Sequence, residues 1–454
     1  MLSLHHRDDR LRAAGNLLPT AEGGLETRPG GLQIIAGAVD AARPWGDRII
    51  AEKGGRIVVW DGAENDLCAA GAVLQATSFQ ALTGAGLRES RAYVADGVNP
   101  LWYVARRSGV YEREFVVNTI LDDDSVPYPL PVPWAIATWR NRLWIPDGNN
   151  RVRHCQFDRP DEWDPLWTVE CQGKEPARVM AIIDHGEALG VGLQNAVWEI
   201  TGTSQYNWDR REVLQIGVAG SNAIDGDGAR LAVLAPQGVF LGNSPDSISE
   251  DIREMFTVPI GIGELVLDTR RQLVLVLVAG RLFVTHLKKP GLWGEITGTG
   301  ATGLIRTQNH VGWYGNDGVW LLMGRDTADK LLDGTERPFT CVYDTWEQRP
   351  NLGGNGRALC ERTLLDIAGS ARGQATYRVA NGARSFEQSF DLVDGVVDTW
   401  SDDMDGSETW QAWPTPAVRR ELVPRLAGEQ FRHTISAPCY MQIRRFEPKY
   451  RGGA

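Results

Sequence analysis

Val311-Gly312-Trp313-Tyr314-Gly315-Asn316-Asp317-Gly318-Val319-Trp320-Leu321 is two short apolar runs joined at Asn-Asp-Gly. An Asx-Gly step between two β-prone runs supplies the positive φ that a tight hairpin needs. The same figure recurs upstream. Leu273–Leu277 runs through Val278-Ala279-Gly280 into Arg281–Val284, and Leu231–Leu234 runs through Pro236-Gln237-Gly238 into Val239–Leu241. Ala188–Gly192 leads into Val197–Ile200, and Arg142–Ile145, Ala92–Ala95 and Arg56–Trp60 each end in Asp-Gly or a near equivalent. The six steps from Arg56 to Val311 cover 255 residues, about 42 each, which is the pitch of one four-stranded propeller blade.

The reading that follows is an all-β chain: a divergent β-propeller of six or seven blades over residues 40–335, with an extended N-terminal arm over 1–39 and a C-terminal β-sandwich-like module over 336–454. The last of these rests on Ala358–Ala368, Gln374–Ala380 and Ser385–Glu387, whose apolar–polar alternation suits an antiparallel, half-solvated sheet. The arm has Leu17, Leu18 and Leu25 but too few neighbours to fold alone, so it is expected to pair elsewhere. Two β-sandwiches with similar strand spacing are the competing architecture.

Composition agrees. The 454 residues include 51 Gly and 17 Trp, which suits many turns and many indole anchors, and 47 Lys+Arg against 58 Asp+Glu leave a net charge of −11. That balance argues against sequence-independent nucleic-acid binding, which needs clustered cations. No apolar h-region opens the chain and no run of 18 apolar residues follows, so neither a signal peptide nor a membrane span is expected. Cys68, Cys155, Cys171, Cys341, Cys360 and Cys439 are scattered without a C-x-x-C pair, as free buried thiols of a reducing compartment would be.

Metal and nucleophile motifs are missing from the sequence, while a catalytic carboxylate pair stays open, because any propeller gathers Asp and Glu at its loop-bearing face. His185 and His310 lie near apolar segments without metal-ligand spacing, and no G-x-S-x-G or phosphate loop occurs. Asp122-Asp123-Asp124, Asp225-Gly226-Asp227-Gly228 and Asp402-Asp403-Met404-Asp405-Gly406-Ser407-Glu408 lack the spacing of a calcium loop and read as turns or solvated charge. Asp405–Trp410 falls one residue short of a glycosidase Asp-box. Trp134, Trp139, Trp144, Trp163 and Trp167 crowd one stretch, and Trp400, Trp410 and Trp413 another. Such rows either stack sugars or pack between blades and at interfaces.

Asn16-Leu17-Leu18-Pro19 with Gly24–Gly30, Trp139–Trp144 with Asp158–Trp163, Val197–Gly202 with Ile216–Gly220 and Gly238–Asn243, and Asn381–Glu387 with the Arg-rich stretch Arg425–Arg445 occur in an order that resembles the tail-hub or nozzle proteins of short-tailed bacteriophages, also known as packaged-DNA stabilisation proteins. The resemblance implies a structural virion protein without enzymatic activity, cofactor or metal. It would be made in the bacterial host cytoplasm and sit in the virion tail. Its copies would form a ring, a homohexamer, below the portal and adaptor and above tail fibre, spike or needle proteins. Double-stranded DNA would pass through without specific binding, and no membrane would be involved.

On this reading Arg28, Pro29, Trp139, Trp144, Trp163, Trp410 and Trp413 are candidate interface residues. Asp122, Asp123, Asp124, Asp402, Asp403 and Asp405 are candidates to face the channel, and the pairs Arg419-Arg420, Arg444-Arg445 and Lys288-Lys289 should point to partners or solvent. The alternative is a propeller lectin or glycosidase acting on bacterial surface polysaccharide, with the Trp rows as sugar platforms.

Overall fold

The structure is a computed structural model that describes residues 11–21, 25–69, 73, 75–82, 88–171, 175–250, 252, 263–323, 328–345, 358–369, 374–381, 384–391, 418–424, 426–428, 432–437 and 441–452. Among these it is all-β, without an α-helix. Four free-standing four-stranded antiparallel sheets follow one another in chain order. The first holds Ala41–Trp45, Arg48–Lys53, Arg56–Trp60 and Glu64–Ala69, and the second Gln75–Leu82, Arg88–Ala95, Trp102–Arg107 and Val110–Phe115. The third holds Ala137–Trp139, Arg142–Pro146, Arg151–His154 and Thr168–Glu170, and the fourth Val179–His185, Ala188–Leu193, Val197–Thr201 and Asp209–Leu214.

A fifth sheet has three described strands, Ile224–Gly226, Leu231–Ala235 and Gly238–Leu241. The sixth begins with Gly263–Asp268, Leu273–Val278, Arg281–His286 and Lys289–Ile296, and the seventh with Ala301–Arg306, Val311–Gly315 and Gly318–Leu322. The small sheets are consistent with blades. The first strand of each touches the first strand of the next, and that of the seventh touches that of the first, so the contacts close into a cycle.

The packing explains why these strands read as unbroken apolar runs. In Leu273–Val278 every residue is buried. Leu273, Leu275 and Leu277 enter the cluster shared with the seventh sheet, whereas Val274, Val276 and Val278 enter the one shared with the fifth. Successive side chains of a strand point to opposite faces, so a strand covered on both faces is apolar throughout. Comparable clusters lie between the first and second, second and third, third and fourth, and seventh and first sheets.

From Leu11 on, the described residues of the expected N-terminal arm run through strands of these sheets. Gly31–Ala36 pairs antiparallel with Gly318–Leu322 and so becomes the fourth strand of the seventh sheet, which the hairpin Ala328–Lys330 and Glu336–Pro338 then extends. Leu11–Gly15 lies parallel to Lys289–Ile296 and antiparallel to Cys341–Thr345. It thereby joins the sixth sheet to Arg432–Ala437, Gln374–Ala380 and Ser385–Asp391 in one nine-stranded sheet. Leu17–Pro19 and Leu25–Thr27 join Met441–Gly452, Ala358–Gly369 and Val418–Leu422 in another. Leu17, Leu25, Tyr343, Tyr377, Ile435, Ile443 and Phe446 share one core drawn from both of these sheets, so the first and last parts of the chain build it together.

Candidate functional site

The innermost strands enclose a cavity of about 230 Å³ lined from all seven sheets. One end is crossed by side chains. Gln75 of the second sheet donates from Nε2 to the Ser221 carbonyl beside the fifth sheet, and its Oε1 accepts from Ile136 N at 2.9 Å. Asn222 continues the chain to Glu264 at 2.9 Å, and Glu264 accepts from Tyr314 at 3.0 Å and from Arg43 at 3.1 Å. Burial by itself disfavours the charged form of Arg43, but the Tyr314 hydroxyl and the Glu264 carboxylate more than offset it and keep the guanidinium protonated. Residues of sheets one, two, six and seven and the segment before sheet five are thus bonded to one another across this end of the cavity.

The other end opens into a pocket of about 600 Å³ formed by turns of the fourth to seventh sheets. Asp184 and Arg306 line both this pocket and the axial cavity. Asp225 is buried, meets Arg306 at 2.8 Å and accepts from Leu267 N and Gly226 N at 2.8 Å each. Burial raises its pKa, and also that of Asp184, whose Oδ1 accepts from Gly186 N. His310 is pushed down by burial and by Arg271 and Arg270. Asp184 and His310 line this pocket, whereas Asp225 lines the inner cavity, and a raised carboxyl beside a lowered imidazole is what acid–base chemistry would use. Among the described residues His310 is the only aromatic side chain in the lining. Among the described residues no group of three or more His, Cys, Asp or Glu could hold a metal ion.

The interface candidates are relocated. Trp139, Trp144 and Trp163 are at most 2 % exposed, so they neither contact a partner nor stack a sugar. Trp139, Trp144, Trp208 and His154 form one buried ring cluster with centroids 4.7 to 5.8 Å apart. Trp163 donates to Pro160 O and fills the core between the second and third sheets. Trp208 Nε1 donates to His154 Nε2 at 3.1 Å, and burial holds the His154 pKa down to about 4.

Arg28 is likewise buried. It makes a two-pronged pair with Asp329, both contacts 2.7 Å, donates from Nε to Asn16, and stacks 3.8 Å from the Phe339 ring. Pro29 beside it is half-buried. The segments that carry Asn16, Arg28–Gly31 and Asp329 meet there, so the side chain is covered on all sides.

Asp122 caps its own turn, accepting from Val126 N at 2.8 Å and Asp124 N at 3.0 Å, while Asp123 and Asp124 are exposed. Their loop is bonded to the segment between the third and fourth strands of the third sheet, through Thr119 N to Asp161 O and Asn118 Nδ2 to Trp163 O, each 2.8 Å. That places the run at the outer rim. Lys288 and Lys289 are exposed as expected. Trp400, Trp410, Trp413, Asp402, Asp403 and Asp405 lie outside the described residues, as do the side chains of Arg419, Arg420, Arg444 and Arg445. Cys155 and Cys171 are free and buried, and burial pushes their thiols up to about 12, while Cys341 is buried against Thr27 and the Asn16 carbonyl.

No family description matches the sequence, and no curated protein matches it. Among solved structures the CNH domain of AfRom2 is similar, with 9 % identity, over 64 % of this chain and 97 % of that one. Its TM-score of 0.39 is too low to carry an argument.

Proposed function

We propose that the chain is a seven-bladed β-propeller fused to a β-sandwich module, and that it serves as a structural virion protein, a bacteriophage tail nozzle or hub. Copies would form a ring that extends the DNA channel below portal and adaptor and helps retain packaged DNA. The closed cycle of seven first strands supports the propeller, and the pairing of Gly31–Ala36 with Gly318–Leu322 supports closure by strands from both ends of the cycle.

One observation carries the structural role. The sixth sheet runs without interruption, through Leu11–Gly15, into the C-terminal sheet, so the two parts share a single hydrogen-bonded ladder of nine strands. A ladder of that kind resists bending between the parts, as a tube segment under the pressure of packaged DNA must. The test is the mass and shape of the purified full chain by light scattering and electron microscopy. A ring with an opening wide enough for duplex DNA is expected, and a monomer at all micromolar concentrations overturns the reading.

The alternative, a lectin or glycosidase acting on bacterial surface polysaccharide, draws its support from Asp184 in the open pocket and from buried Asp225 in the cavity behind it, since a raised carboxyl is what a general acid requires. Release of reducing sugar by the wild type and not by Asp184→Asn would replace the structural reading with that one.

A further inference from the structure

Large apolar side chains are exposed unevenly on this molecule. Among the described residues 14 are exposed, and nine of them fall within residues 98–166. Val110 and Phe115 sit on the outermost strand of the second sheet, Val117, Leu121 and Val126 in the loop that follows, and Leu166 in the third sheet's outer connection. Scattered single apolar residues need no explanation, whereas nine within residues 98–166, on the outer strand of one sheet and the loops beside it, bear on a contact surface. The strand Val110–Phe115 also ends its sheet, leaving one edge of its backbone unpaired by any described strand.

This rim is already ordered. Besides the bonds from Asn118 and Thr119, Tyr128 N donates to Ile120 O at 3.0 Å, and Val116 N to Leu101 O at 2.8 Å. Pro127, Pro129, Pro131 and Pro133 restrict the loop further. A surface that is fixed beforehand loses little entropy when it is covered.

Charge identifies the occupant. Asp123 and Asp124 flank the apolar residues, are exposed, and have no basic group within ion-pair distance among the described residues. Lys288, in the turn before the last strand of the sixth sheet, and Lys289, the first residue of that strand, are equally exposed and have no carboxylate partner among the described residues. The third and sixth sheets stand three steps apart in a cycle of seven, on opposite sides of it. The two charge pairs therefore cannot meet within one chain.

We infer that the rim of the second and third sheets docks a second copy of this chain, through the stretch that bears Lys288 and Lys289. This inference rests on the reading that the protein assembles with itself, and it specifies a head-to-tail contact, which propagates until it closes into a ring. Asp123 and Asp124 then act in steering and register, and the apolar residues hold the contact.

The experiment measures self-association of the full chain by sedimentation. Leu121→Asp with Leu166→Asp should weaken it at least about tenfold, as loss of interface anchors does. Asp123→Lys with Asp124→Lys, and separately Lys288→Glu with Lys289→Glu, should each weaken it, and the two swaps combined should restore it. All these side chains are exposed, so each variant should stay folded, with the far-ultraviolet circular dichroism of the wild type. Apolar variants that keep the wild-type mass, or a combined swap no better than its parts, overturn the contact and leave the ring reading standing. A wild-type chain that is monomeric throughout overturns both.

Discussion

Arg28 shows what a single residue decides here. Its guanidinium is 1 % exposed and satisfied by Asp329, Asn16 and the Pro29 carbonyl, and Asp329 also accepts from Gly31 N at 2.7 Å. Removing one partner of a buried pair leaves the other uncompensated, so Asp329→Ala should cost about 3 kcal/mol in urea unfolding. Arg28→Lys should also destabilise, because a point charge cannot make the fork or cover Phe339 as a plane does. An unchanged urea midpoint in both variants would contradict this. His154 sets an acid limit. The fold keeps it neutral, with its pKa at about 4 against an ordinary 6.5, so below pH 6.5 the unfolded chain takes up a proton that the folded one refuses. Its contribution is whole above pH 6.5 and is lost as the pH falls to about 4, on the order of 3 kcal/mol. His433, down to about 3 by burial, acts in the same direction over a wider range. In His154→Gln, which still offers an acceptor to Trp208, the slope of stability against pH between 6.5 and 4 should be flatter than in the wild type. An equal slope would show that His154 is not the group responsible.

Among the elements, the hairpin at Asn316-Asp317-Gly318 and the strand Gly31–Ala36 depend on each other. Gly318 has φ +115°, and a Cβ there would stand 1.9 Å from the Ile35 carbonyl oxygen. Gly318→Ala should therefore push the closing strand away, and differential scanning calorimetry should show a lower melting temperature with a broader transition. A transition like the wild type's would mean that the strand tolerates the shift. Removing residues 1–36 should do more. It takes away the fourth strand of the seventh sheet together with Leu17, Leu18 and Leu25, so the product should aggregate; a soluble, cooperatively melting truncation would contradict that. The hairpin was legible because Asn-Asp-Gly between apolar runs has a local cause. Its fourth strand was not, since Gly31–Ala36 lies some 285 residues away and carries no local sign of its partner.

For the whole molecule, the cavity between the seven sheets is no passage for DNA, because Gln75, Asn222, Glu264 and Arg43 bond across it, so the ring proposed above would have its channel between copies. With a net charge of −11 the protein should fail to retain duplex DNA in filter binding even at low ionic strength, and salt-sensitive micromolar retention would contradict this. The sequence by itself determined what short-range physics controls: an all-β chain, hairpins about 42 residues apart, and strands such as Leu273–Val278 whose unbroken apolar character requires cover on both faces. Which strands complete a sheet, and which rings are buried, only the tertiary structure decided. The Trp row at 139–163 has the same composition whether it faces solvent or core, and Arg28 reads as exposed until Asp329, 301 residues on, is placed against it. Such outcomes depend on contacts between segments far apart in the chain, and those contacts leave no periodicity in the local sequence.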